Sequence, residues 1–270
     1  MTATMVDGKR IAEEMYTELA PKFAVLGRKV RLGIVVVGSN PVIESFVRIK
    51  TRAAERLGVD MVRENVSHSG DAGKIIQAVN RLVATTDAVI VQLPLPQGIN
   101  VDEVLAAVPK EKDVDALNPR VPEEDRLVHA PVALAVVEIL KRGGIEIRGA
   151  RTVVAGAGRL VGAPSAVLLR TLGANVSFFT LEEGSIEDVK DADILVLGTG
   201  KSGLIKPEHI KEGVALIDAG TSEQKGKIQG DADPACAEKA SVFTPVPGGV
   251  GPVAVAMIFQ NLFDLVLQRG

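Results

Sequence analysis

Tryptophan is absent from the 270 residues, tyrosine occurs once and phenylalanine seven times. Any surface on which a flat ligand stacks must therefore use very few rings. Cysteine occurs once, at Cys236, which excludes an intramolecular disulfide and a cysteine-based zinc cluster. The histidines His68, His129 and His209 show no metal-ligand spacing, so no metal is expected. An excess of one charge is also lacking. Lysine and arginine total 31 against 34 aspartates and glutamates, a net charge of −3, so no global basic field points to nucleic acid or an anionic membrane. Apolar runs such as 130–137 and 253–259 are too short to cross a bilayer, and the N-terminus lacks a charged-then-apolar signal pattern. These features predict a soluble, cytoplasmic protein with neither nucleic-acid nor membrane partners.

What is present is an alternation of strands and helices. Residues 7–26 repeat Ile11, Met15 and Leu19 along one face, an amphipathic helix. The apolar run LGIVVV (32–37) reads as a buried strand, followed by a turn and a helix that carries Phe46 and Lys50 at i and i+4. A short strand over 59–65, a helix from Asp71 with Ile75, Ile76, Val79 and Leu82 inward, a strand over 88–93 and a helix over 101–108 follow. A second set begins after the helix 132–142, with strands over 152–155, 175–180, 194–197 and 215–217 and a helix over 165–172. The pattern predicts an α/β protein with parallel sheets in two domains. Residues 1–130 plus 251–270 form an N-terminal α/β catalytic domain, and residues 131–250 a Rossmann-like dinucleotide-binding domain.

Several stretches carry chemistry. Lys50 lies beyond the carboxyl end of a strand, where open α/β sheets bind ligands. VQLPLP (91–96) ends a strand in a proline-stiffened loop that can present Gln92. In KDVD (112–115) an extended backbone would point Asp113 and Asp115 the same way, and a carboxylate there suits a ligand edge with two adjacent N–H donors. Gly156, Gly158 and Gly162 are spaced G-x-G-x-x-x-G, one residue longer than the usual dinucleotide fingerprint, between a strand and a helix whose N-terminus can hold a pyrophosphate. The cofactor set is Gly156, Gly158, Arg159, Leu160, Val161, Gly162, Thr180, Glu182, Gly198, Thr199, Gly200 and Gly220. Glu182 and Glu183, after the second strand of this unit, suit the ribose hydroxyls of NAD, whereas Arg159 suits a phosphate. TPVPGGVGP (244–252) is shaped as a ligand wall between domains.

In order and spacing, Lys50, VQLPLP, KDVD, the 156–162 loop and TPVPGGVGP together resemble the bifunctional methylenetetrahydrofolate dehydrogenase/methenyltetrahydrofolate cyclohydrolase family. The resemblance implies a folate cleft between the domains and a homodimer paired through the nucleotide-binding domain. It also implies oxidation of 5,10-methylenetetrahydrofolate by NADP or NAD, followed by hydrolysis to 10-formyltetrahydrofolate. Lys50 matches the catalytic lysine, Gln92 the glutamine that hydrogen-bonds it and Asp115 the aspartate that grips the pterin. Phe46, Pro94, Pro247, Gly248 and Gly249 fall at substrate-binding positions.

The chain departs from the family pattern in ways that bear on activity. Phe46 stands where tyrosine is usual, keeping a ring but losing a hydroxyl, and Ile43 stands where a polar residue is common. Ala157, Gly158 and Arg159 replace a pattern of Arg or Ala, Ser and Asn. Leu181 replaces a polar residue near the NADP 2'-phosphate, and Ala130 and Ala254 replace threonines. Two alternatives follow: a dehydrogenase with weak or absent cyclohydrolase, and a catalytically silent nucleotide- or folate-binding subunit.

Overall fold

The computed structural model describes residues 3–38, 40–67, 71–180, 184–224 and 227–269. Strand β1 (Thr4–Met5) leads into α1 (Gly8–Ala24), β2 (Arg31–Val37), α2 (Pro41–Leu57), β3 (Asp60–Val66), α3 (Ala72–Thr85), β4 (Ala88–Val91) and α4 (Val101–Leu105). After α5 (Pro131–Arg142) come β5 (Arg151–Ala155), α6 (Gly162–Thr171), β6 (Asn175–Phe179), β7 (Ile194–Leu197) and β8 (Ala215–Asp218). The hairpin β9 (Ser222–Gln224) and β10 (Lys227–Gln229), then β11 (Val242–Phe243) and α7 (Val250–Leu267), complete the chain.

The chain divides into two compact units, Glu13–His129 with Ile258–Gly270, and Met1–Ala12 with Ala130–Met257. Relative to the expected partition, residues 1–12, 130 and 251–257 fall in the second of these. The reason for the first shift is local: β1 pairs in parallel with β11, Thr4 opposite Val242, and the Gly8 amide donates to the Gly248 carbonyl at 3.0 Å. Two residues of strand were too short to register as a periodic signal.

In the unit containing residues 13–129, β2 is the centre of a parallel sheet ordered β3-β2-β4. Residues 32–37 are all buried, as a central parallel strand covered on both faces requires, and this is why the run is continuously apolar rather than alternating. Helix α3 is capped by Asp71, whose carboxylate accepts from the Gly73 and Lys74 amides. It buries Ile75, Ala78, Val79 and Leu82; Ala78 completes the face on which Ile76 was expected, and Ile76 packs at its margin.

In the other unit a six-stranded parallel sheet runs β1-β11-β8-β7-β5-β6. Helix α6 begins at Gly162, about one turn earlier than expected. Gly162 and Pro164 read as breakers in the sequence, but proline is tolerated in the first turn of a helix, where its missing N–H has no intrahelical partner. Helix α7 is, among the described residues, the one helix long and apolar enough to cross a membrane, with a mean hydropathy of 1.7 over 18 residues. Its length escaped the count of apolar runs because Gln260, Asn261 and Asp264 interrupt the sequence. Val253, Phe259, Leu262 and Leu265 are fully buried, the pattern of a core helix.

Candidate active site

Helix α2 buries a stripe of Ile43, Val47, Ala54 and Leu57, spaced by helical turns, and Lys50 occupies the same stripe between Val47 and Ala54. A charged group placed there is desolvated by its own helix. From β4 the chain continues into Gln92, whose amide N–H donates to the Val35 carbonyl at 3.0 Å. The side chain of Gln92 is only 7% exposed. Its Nε2 donates to the Leu93 carbonyl at 2.7 Å, which turns Oε1 toward Lys50, and Lys50 Nζ donates to that oxygen at 2.8 Å. The Leu93–Pro94 peptide is cis. Burial lowers the Lys50 pKa from its ordinary value, and the Asp115 charge opposes the shift without cancelling it. Burial therefore loosens the hold of Lys50 on its proton, the direction that proton transfer by a lysine requires.

The KDVD segment is not extended, contrary to expectation. It is a turn in which Ala116 takes a positive φ of 54°, and Asp113 and Asp115 do different work. Lys112 Nζ donates to the carbonyls of Val83 and Thr86 at 2.5 and 2.7 Å, at the end of α3, where unpaired carbonyls favour a cation. Asp113 turns back onto the chain and accepts the Asn118 amide at 2.7 Å. Asn118 donates to Val108, and Asn261 of α7 donates to the carbonyls of Val114 and His129 at 2.9 and 2.8 Å. Each of these groups fixes the loop. Asp115, by contrast, makes no side-chain hydrogen bond among the described residues. Burial raises its pKa to about 6, with Lys50 pulling it down and Asp113 pushing it up. An unsatisfied carboxylate beside a weakly basic lysine is a site for a polar ligand edge. Phe46, one turn before Lys50, is 38% exposed, so its ring is accessible.

In the second unit the three glycines of the loop have different surroundings. Gly156 has φ +93°, and a Cβ there would lie 2.6 Å from the Gly198 carbonyl oxygen. A Cβ on Gly162 would collide with the Gly156 carbonyl oxygen, so α6 packs directly on the end of β5. Around Gly158 a Cβ would meet nothing within 4 Å. The first and last glycines thus serve the turn and helix packing, while the backbone at the middle one faces open space for a phosphate. Val161 at the start of α6 supplies no side-chain cap, and Arg159 and Leu160 lie in the same loop, Leu160 exposed. These features fit a dinucleotide pyrophosphate.

Gly198, Thr199 and Gly200 follow β7; a Cβ on Gly198 would lie 2.5 Å from Val161 Cγ1, so this loop packs against the glycine loop. Thr180 follows β6 and Gly220 follows β8. Glu182, with Leu181 and Glu183, lies outside the described residues. Pro247 follows a cis peptide, Gly248 has φ +111°, and a Cβ on Gly249 would lie 2.7 Å from Thr244 Cβ. Lys50, Gln92 and Asp115 thus lie in one unit, and the glycine loop packs against the 198–200 loop in the other; of the expected substrate positions, Phe46 and Pro94 belong to the first unit and Pro247, Gly248 and Gly249 to the second. Sequence reasoning missed Lys112 and Asn261 as the fasteners of the Asp115 loop, and it missed the buried Asp218 and Asp231. A carboxylate following an apolar strand, and one directly after Gly230, were the available signals.

Comparison with known proteins matches residues 6–115 to the catalytic domain of tetrahydrofolate dehydrogenase/cyclohydrolase and residues 130–269 to its NAD(P)-binding domain. The chain is 36% identical over 270 residues to the bifunctional protein FolD of Halothermothrix orenii, covering 95% of each. Among solved structures it is similar to the bifunctional FolD dehydrogenase/cyclohydrolase of Campylobacter jejuni, with 30% identity, a TM-score of 0.92 and coverage of 99% of this chain and 100% of that one. It is also similar to the Trypanosoma brucei enzyme complexed with NADP and an inhibitor, with 31% identity, a TM-score of 0.93 and coverage of 100% and 99%. With matching models over both halves and relatives spanning its length, the chain belongs to the tetrahydrofolate dehydrogenase/cyclohydrolase family.

Proposed function

We propose that the chain oxidises 5,10-methylenetetrahydrofolate with NAD(P) and hydrolyses the methenyl product to 10-formyltetrahydrofolate, with Lys50 moving the protons. The observation that carries the role of Lys50 is its placement on the buried stripe of α2, donating to Gln92 Oε1 at 2.8 Å. NAD(P), when bound, supplies the acceptor for the hydride. In the hydrolysis, water adds to the methenyl carbon and the bond from that carbon to N5 breaks. Neutral Lys50 accepts a proton from the water and returns one to N5, while the net reaction releases one proton to solvent. Gln92 holds the amine in place through either protonation state, because its oxygen accepts from both. Asp115 receives the paired N–H donors of the pterin, and Phe46 and Pro94 supply apolar surface.

For the cofactor, NADP is favoured by the relative solved with it. Measurable use of NAD is favoured by Glu182 and Glu183, whose carboxylates suit free ribose hydroxyls better than a 2'-phosphate. The enzyme is proposed to act as a cytoplasmic homodimer; β6, the edge of the six-stranded sheet, presents the exposed Phe178.

Oxidation of methylenetetrahydrofolate, followed with NADP and with NAD at matched concentrations, tests the assignment. Reduced cofactor should form without lasting accumulation of the methenyl compound. Accumulation would leave a dehydrogenase alone, the outcome favoured by the missing hydroxyl of Phe46; Phe46→Tyr should then accelerate the hydrolytic step. Binding of both ligands without turnover under either cofactor would reject catalysis altogether.

A further inference from the structure

Two fully buried aspartates, Asp218 and Asp231, lie at the carboxyl end of the six-stranded sheet. Asp231 Oδ2 accepts three hydrogen bonds from one loop: the Thr199 amide at 2.6 Å, the Thr199 hydroxyl at 2.9 Å and the Gly200 amide at 3.2 Å. Its other oxygen, Oδ1, has no hydrogen-bond partner among the described residues. Asp218 braces the same region from the β8 side, accepting the Gly220 amide at 2.9 Å and the Ala232 amide at 2.8 Å. The packing is reciprocal. A Cβ on Gly220 would collide with the Asp231 carboxylate, and one on Gly230 with that of Asp218. Burial first, and then the charge of Asp231, push the Asp218 pKa up to about 7. Buried carboxylates are costly unless well bonded, and a neutral side chain would serve a merely structural tie.

The strand order assigns the loop a place along the cofactor. With β5 carrying the pyrophosphate loop and the end of β6 facing the adenosine ribose, β7 lies on the opposite side of β5, where a dinucleotide places its nicotinamide half. We propose that Asp231 is a positioning residue for the nicotinamide half of the cofactor, acting by fixing Thr199 and Gly200 through a single carboxylate oxygen. This rests on the assignment of the 198–200 loop to the cofactor site.

Asp231→Asn keeps the shape and weakens the charge-assisted bonds. Calorimetry should show affinity for NADP and NAD falling on the order of 10-fold, while affinity for ADP-ribose, which lacks nicotinamide, changes less than about 2-fold. Equal losses for both ligands, or no loss, would overturn the proposal. Should Asp231→Asn fail to fold, Thr199→Val removes one of the three donors and should weaken dinucleotide binding alone by about 3-fold, with Thr199→Ser restoring it; equal effects on ADP-ribose or failed rescue would again refute it. The loop assignment is tested separately in the unaltered protein. Amide exchange over 198–203 should slow on adding NADP but not ADP-ribose, and absence of any protection would reject the loop as a cofactor contact whatever the variants do.

Discussion

Replacing Asp115 by asparagine should make the protein more stable while impairing it as an enzyme. In the folded chain the Asp115 pKa rises from 3.8 to about 6, with burial the largest cause. Between those values the folded protein retains a proton that the unfolded chain releases, so stability falls as pH rises through that window and stays low above it. The full effect is about 3 kcal/mol, from about 1.4 kcal/mol per pH unit. It already contains the attraction to Lys50, because that attraction is one of the causes that set the value. Asparagine has no proton to lose. Urea unfolding of both proteins from pH 4 to 8 should show the stability advantage of Asp115→Asn growing between pH 4 and 6 and levelling above it, while KM for the folate rises. An advantage independent of pH, or a variant less stable than its parent at pH 7, would refute the electrostatic assignment.

Four further substitutions separate roles that neighbouring residues play. Lys50→Arg keeps a cation but cannot give up its proton, so hydrolysis of the methenyl compound should fall about 10²- to 10⁴-fold; unchanged hydrolysis, measured on supplied methenyltetrahydrofolate, would remove Lys50 from the proton path. Gly158→Ala meets open space and should leave urea stability within about 0.5 kcal/mol yet weaken NADP binding, whereas Gly162→Ala strikes the Gly156 carbonyl and should destabilise by about 2 kcal/mol or more. Lys112→Met removes the donor to Val83 and Thr86; it should cost about 2 kcal/mol and raise the folate KM without altering cofactor affinity, as unfolding and steady-state kinetics would show.

Features fixed by local chemistry could be read from the sequence, and features fixed by contacts between distant segments could not. The run 32–37 is apolar throughout because β2 is flanked by β3 and β4, so one stretch sufficed to place a central parallel strand. The glycine loop was legible despite its extra residue because it lies between a strand and a helix start, although the neighbour that Gly156 answers to, Gly198, is far off in the chain. Strand β1 was invisible because its partner, β11, lies over 200 residues away. A count of consecutive apolar residues ends at Phe259, short of the full length of α7. The polar residue Asn261 inside it is buried and satisfied by the carbonyls of Val114 and His129, a partnership that nothing in its neighbourhood announces.

The KDVD segment shows how this limit reaches function. Alternation assumes an extended backbone and assigns Asp113 and Asp115 one direction and one task. What separates them is the turn that replaces an extended backbone here, and that turn is held by Asn118, by Lys112 on the end of α3 and by Asn261 of α7. Asp113 accepts the Asn118 amide within the turn, whereas Asp115 makes no side-chain hydrogen bond among the described residues. Two identical side chains two residues apart thus receive opposite roles from tertiary contacts. The carboxylate left without a hydrogen bond is the one whose charge acts on Lys50, and the turn that carries it is tied to α7, a helix that no motif search for active-site residues would select.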